Sequence, residues 1–229
     1  MSRSSRLSAI AIILLMALLA ACGGRPIIPT GSGGSQPDSN GNGTGDVSEA
    51  FVPGKTGNWL LEQDEIGSSA IVNEELVITI AAPNTMQYAA LDGAIFGDLA
   101  LEVDVAQRSG PADSSYGVIF RMQDGQQFYR FDITGNGLYV IERHNSDGTW
   151  TRLVPDWTPT TALNQGLNVV NRLKVIAAGP DLTFYANDVL LTQLSDPTFN
   201  SGGIALDAGT FGGGNLQVSF DNLAVTAAP

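Results

Sequence analysis

Cysteine and histidine are almost missing from this chain, with one of each in 229 residues. A single thiol, Cys22, cannot form an internal disulfide or a cysteine-based zinc site. A single imidazole, His144, excludes a multi-histidine metal centre, and any Ser-His-Asp triad would have to use it. His144-Asn145-Ser146-Asp147-Gly148 reads instead as a hairpin turn with an exposed histidine. Cations are scarce too: 11 Lys+Arg face 23 Asp+Glu, a formal charge of −12. Nucleic acid and anionic lipid are recognised by clustered Lys/Arg, so neither is expected as a direct partner. A convincing helical period is also lacking, apart from a short turn expected around Pro159 to Gln165 with Thr160 or Thr161 as its cap.

What is present begins at the first residues. Arg3 and Arg6 precede an uncharged run from Leu7 to Ala21, which closes on Leu19-Ala20-Ala21-Cys22. The run is short for a bilayer-spanning helix, which needs about 20 apolar residues, and it carries the flanks of a cleaved export signal. Gly31 to Asp46, GSGGSQPDSNGNGTGD, holds no large apolar residue and cannot offset the entropy of ordering itself. Gly23 to about Ala50 therefore reads as a flexible tether, reaching about 25–30 Å for roughly 25 Gly-rich residues.

From Phe51 the pattern changes to period two. Leu99, Leu101, Val103 and Val105 alternate with Ala100, Glu102, Asp104 and Ala106. Tyr116, Val118, Phe120 and Met122 alternate with Gly117, Ile119 and Arg121; Tyr129, Phe131 and Ile133 alternate with Phe128, Arg130 and Asp132. Leu182, Phe184 and Ala186 follow the same rule. This is the signature of strands with one face on a core. Turn dipeptides such as Asp124-Gly125, Asp147-Gly148 and Asn187-Asp188 separate them, so hairpins in an antiparallel sandwich or barrel are expected.

Two resemblances refine this. Leu19-Ala20-Ala21-Cys22 resembles the lipobox of bacterial lipoproteins. That implies cleavage before Cys22, a diacylglycerol on its sulfur, and an extracytoplasmic domain held at the membrane by lipid alone. Gly23, rather than Asp, after the cysteine implies release to the outer membrane if the cell is Gram-negative. Cleavage would remove two Arg and no acid, leaving 9 Lys+Arg against 23 Asp+Glu, a charge of −14.

The second resemblance covers about residues 55–227. Gly117-Val118-Ile119-Phe120-Arg121, Asp124 and Phe128-Tyr129-Arg130-Phe131-Asp132-Ile133 are followed in order by Leu138 to Arg143 and Trp150. Leu173-Lys174-Val175, Leu182 to Asn187, Gly202 to Leu206 and Phe220 to Val225 complete the set. The ordered set is similar to concanavalin A-like jelly rolls, including the 3-keto-disaccharide hydrolase, laminin-G-like and glucanase-like branches. The resemblance implies an all-β jelly-roll sandwich of two antiparallel sheets. Three segments result: a lipoprotein signal peptide at 1–21, lipidated cysteine and tether at 22–50, and a jelly roll at 51–229.

The catalytic patterns of those branches are not intact. A Glu-x-Gln pair is matched here by Arg130 and Asp132. The Glu-x-Asp-x-x-Glu of laminarinase-type enzymes is matched by Glu102-Val103-Asp104-Val105-Ala106-Gln107, which ends in an amide and lacks a carboxyl that hydrolysis needs. Strand alternation places Glu102 and Asp104 on a solvated outer face.

Candidate ligand-binding residues follow from parity and chemistry. Arg121, Arg130 and Asp132 share the face opposite the aromatic core residues, and Asp207 has matching parity. Guanidinium forks and carboxylates suit sugar hydroxyls or carboxylates, or else pair with one another across strands. Tyr139, Trp150 and Trp157 are candidate stacking platforms; core packing is expected for Trp150, and Trp157 sits in the Pro-bounded loop Pro155 to Pro159. Asp221 reads either as a ligand of a structural calcium or as a turn-stabilising aspartate, and no cofactor is required. Three functions stay open: a non-catalytic module binding a glycan or envelope polymer, a protein-interaction domain, and a glycoside-acting enzyme using Asp132 or Glu142.

Overall fold

The computed structural model describes residues 46–52 and 58–229. The lipobox, Cys22 and most of the tether lie outside the described residues. In chain order the strands are β1 Val47–Glu49, β2 Trp59–Leu60, β3 Gly67–Val72, β4 Glu75–Ile80, β5 Met86–Leu91, β6 Leu99–Ser109, β7 Ser115–Met122 and β8 Phe128–Thr134. They continue as β9 Leu138–His144, β10 Trp150–Arg152, β11 Thr158–Pro159, β12 Asn171–Ala178, β13 Asp181–Ala186, β14 Val189–Ser195, β15 Gly203–Gly209 and β16 Leu216–Ala227. No helix occurs among the described residues. Pro159 ends β11 rather than opening a helical turn, and Thr160 Oγ1 accepts from Ala162 N in a tight local turn instead.

Two antiparallel eight-stranded sheets stack as a sandwich. Sheet A runs β14-β13-β12-β6-β16-β4-β3, with β1 added to β16; sheet B runs β10-β9-β8-β7-β15-β5-β2, with β11 added to β9. Val47 pairs with Val225, so the domain begins inside the segment that composition assigns to the tether. Phe51 and Trp59, whose rings lie 5.7 Å apart, are buried just after it.

The alternating residues meet between the sheets. Leu99, Leu101, Val103 and Val105 of sheet A are buried, and so are Tyr116, Val118, Phe120, Phe131 and Ile133 of sheet B. Phe184 bridges the layers, with its ring 6.0 Å from Phe120 and 5.3 Å from Phe131. Each buried aromatic or branched side chain contributes about 1.5–3 kcal/mol of burial, which is how a domain without disulfides holds together. Asn187-Asp188 closes the β13–β14 hairpin with both residues at positive φ (50° and 64°), the backbone of a type I′ turn.

Candidate functional site

The outer face of sheet B is built by cross-strand pairing. Gly117 of β7 lies opposite Asp132 of β8 on one side and Asp207 of β15 on the other. One row along, Ile119 lies opposite Arg130, Arg130 opposite Glu142 of β9, and Glu142 opposite Arg152 of β10. Residues paired in this way point to one face. Gly117 is what lets the two aspartates share their row. A Cβ there would clash with the Phe131 carbonyl and stand 2.8 Å from Asp132 Oδ1.

Arg130 is the centre of the arrangement. Its Nη2 donates to Glu142 Oε2 at 2.7 Å, its Nε lies 3.6 Å from Asp132 Oδ2, and its Nη1 lies 3.7 Å from Asp207 Oδ2. The guanidinium also reaches Met86 Sδ at 3.4 Å and lies over the Trp150 ring, with Cζ 4.6 Å from the centroid. Glu142 uses its other oxygen on Arg152 Nε at 3.3 Å, and Arg152 Nη1 pairs with Asp156. Trp150 packs against a tilted His144 ring and, edge to face, against Phe128, at centroid distances of 4.6 and 5.7 Å.

Asp132 and Asp207 have no exposed surface. Burial pushes the Asp132 carboxyl above the ordinary carboxylate range, and Arg130 and Ser115 pull it back without reversing the shift. Asp207 is raised further, first by burial and then by the charge of Asp132. None of their four carboxyl oxygens makes a hydrogen bond of good geometry among the described residues; Arg130 is their ion-pair partner, and Ser115 and the two carboxyls themselves are their near neighbours. Two buried carboxylates side by side repel each other, so the pair favours holding a proton, and the upward push is greater on Asp207. Burial disfavours the Arg130 cation, but the acidic neighbours Asp132, Asp207 and Glu142 outweigh that and raise its pKa.

Around this floor lies a cleft of about 410 Å³, lined among others by Thr85, Met86, Arg130, Glu142, Trp150, Arg152, Trp157 and Phe211. Trp157, in the loop before β11, meets Phe211, in the loop between β15 and β16, edge to face at 6.0 Å. Their two loops stand together on one side of the cleft.

The sequence-expected residues divide. Arg130 and Trp157 line the cleft, and Asp132 and Asp207 are buried against Arg130. Arg121 does not join them. Strand β7 has one extra residue between Ile119 and Met122 relative to β15, and Arg121 takes it up at φ 49°. This bulge breaks the alternation. It turns the fully buried guanidinium to the carbonyls of Gly179 and Phe199 (2.7 and 3.0 Å) and to Asp98 (3.2 Å). Gly202 backs the bulge, since a Cβ there would run into the Arg121 backbone. The same bulge moves Met122 from the core to a small apolar cluster with Ile119, Phe128 and Ala205.

Three further expectations are corrected. Tyr139 lies opposite Ile133 and is buried in the core, so it is no stacking platform. Trp150 is the reverse case, 41% exposed at the cleft rather than in the core. His144 is not at a turn tip; it ends β9, against Phe128, with Nδ1 held at the Gln126 carbonyl. Asp221 caps the bulge in β16, accepting from Asn222 N at 2.7 Å. Among the described residues no group of three or more His, Cys, Asp or Glu is placed to hold a metal ion. Glu102 and Asp104 are on the solvated face, as expected, paired with Lys174 and Arg172.

Arg152 and Phe211 were not singled out in the sequence. Arg152 carried a usable signal, because it stands two residues from Trp150 and so shares its face. Phe211 carried none, since it belongs to a Gly-rich loop whose place is set by tertiary packing.

By sequence, no family model and no curated protein matches the chain. By structure it is similar to the carbohydrate-binding module CBM66 of Bacillus subtilis: 18% identity, TM-score 0.60, covering 74% of this chain and 96% of that one. A β-glucanase of Bacillus licheniformis matches at 11% identity and TM-score 0.58, covering 81% and 99%. A Bacillus subtilis protein of unknown function with a galectin-like fold matches at 10% and 0.57, covering 81% and 97%. The domain has the jelly-roll sandwich fold of these structures, as the resemblance in the sequence implied.

Proposed function

We propose that this chain is a cell-envelope lipoprotein whose jelly-roll domain binds carbohydrate without hydrolysing it. One observation carries the reading: a cleft on the outer face of sheet B borders the rings of Trp150, Trp157 and Phe211 with the polar groups of Arg130, Glu142 and Arg152. Flat aromatics beside directional hydrogen-bonding groups are what a sugar ring needs from a protein. The carbohydrate-binding name of the CBM66 neighbour supports the same reading.

Hydrolysis is disfavoured by how the carboxyls are used. Glycoside cleavage needs two carboxyls free to reach the scissile bond. Asp132 and Asp207 are wholly buried, and Glu142 is divided between two arginines. No cofactor is needed for binding of this kind. The partner is a glycan or envelope polymer; the membrane is reached only through lipid on Cys22, and no nucleic acid is bound.

Glycan-array binding by the domain tests the ligand. Trp150→Ala should weaken binding roughly tenfold or more, since one aromatic anchor commonly carries over 1 kcal/mol. Hydrolysis of an array glycan, abolished in Glu142→Gln, would replace the binding reading with the enzymatic one. Labelling with a fatty acid should mark the full chain and not Cys22→Ser; label retained by that variant would refute the anchor.

A further inference from the structure

We infer that the cleft takes uncharged glycans and excludes acidic ones. The inference rests on the carbohydrate-binding reading and narrows its ligand. Two arginines line the cleft, and at first sight they suit a uronate or sialate carboxylate. Arg130 faces a neighbour at all three of its nitrogens, and Arg152 at two of three. Arg130 directs Nη2 to Glu142, Nη1 towards Asp207 and Met86, and Nε towards Asp132. Arg152 directs Nε to Glu142 and Nη1 to Asp156. A carboxylate is bound tightly by a bidentate fork, and no such fork is left open on Arg130.

The charge count points the same way. Arg130 and Arg152 face Asp132, Asp207, Glu142 and Asp156, an acidic excess even with one proton held between the two buried aspartates. A second anion entering this partly desolvated space meets like charge where screening is weakest. A hydroxyl meets no such barrier. It can donate to a carboxylate, which has about four lone-pair sites, so Glu142 can serve two arginines and still accept from a sugar. The rings of Trp150, Trp157 and Phe211 offer uncharged surface for its C–H face.

The test compares matched pairs by calorimetry: galactotetraose with tetragalacturonate, cellotetraose with tetraglucuronate, and mannotetraose with tetramannuronate. The wild-type domain should bind a neutral member at least about tenfold more tightly than its uronate. Glu142→Gln should raise uronate affinity by freeing guanidinium donors. Asp156→Asn should do so too; its carboxylate is 75% exposed, so its loss leaves the fold intact. A wild type that prefers the uronate overturns the inference while leaving carbohydrate binding in place. Uronates still excluded in both variants, with neutral binding retained, would also overturn it. Failure to bind any glycan on a broad array defeats the underlying reading, and this inference with it.

Discussion

The two outer faces of the sandwich start from the same sequence rule and end in opposite electrostatic states. On sheet A, Arg172 bridges to Asp104 at 2.9 Å and Lys174 to Glu102 at 2.6 Å, with the Arg172 side chain 49% exposed. On sheet B, Arg130, Asp132, Glu142 and Asp207 are all buried. Both sets come from alternate positions on long strands. The difference lies in what stands over them. Sheet A's outer charges keep their water. Sheet B's are roofed by Trp150, Met86 and the loops bearing Trp157 and Phe211. Desolvated charges interact strongly and are costly to leave unpaired, whereas solvated ones contribute little.

Substitutions on the two faces should expose this contrast. Arg130→Ala leaves the buried Asp132 and Asp207 without their counter-ion and Glu142 with Arg152 alone, and should lower stability by about 3–5 kcal/mol in urea denaturation. A loss under 1 kcal/mol would mean that the two faces are energetically alike. Arg121→Ala strips the Gly179 and Phe199 carbonyls of their donor, for about 2–3 kcal/mol. It should leave glycan affinity of the folded domain unchanged, because its guanidinium points away from the cleft; lost affinity without lost stability would return it to the site.

Asp207→Asn addresses the buried acid pair. Because the folded-state pKa of Asp207 is raised, the folded protein holds a proton that the unfolded chain releases near pH 3.8. Wild-type stability should therefore fall as pH rises from about 4 through the raised value. Asn cannot ionise, so the variant should lose that part of the slope and melt above the wild type at pH 8. A variant that follows the wild-type curve would show Asp207 ionised throughout. Arg172→Ala, the control on sheet A, should cost less than about 1 kcal/mol and lose even that at high salt.

Much of the fold was legible before the structure. Period two at Leu99 to Val105 and at Tyr129 to Ile133 marked core-facing positions, and these are buried as expected. Asn187-Asp188 marked a hairpin. Parity also placed Arg130, Asp132 and Asp207 on one face, although they come from two strands 75 positions apart at Asp132 and Asp207. It failed at Arg121 because a bulge adds a residue, which an alternation rule cannot foresee. It failed at Val47 because Gly-rich composition concealed a three-residue strand whose partner is near the other end of the chain.

What the sequence by itself determined is local: which residues alternate, where hairpins turn, and that a single cysteine rules out an internal disulfide. These follow from steric and compositional limits that act within a few residues. The tertiary structure alone decided which polar face is roofed and which is wet. It also decided that Trp150 lies over Arg130 while Tyr139 lies in the core, and that loops far apart in the chain meet as Trp157 and Phe211. Burial depends on which distant segments arrive overhead, and only burial turns an ordinary row of strand charges into the desolvated floor of a cleft.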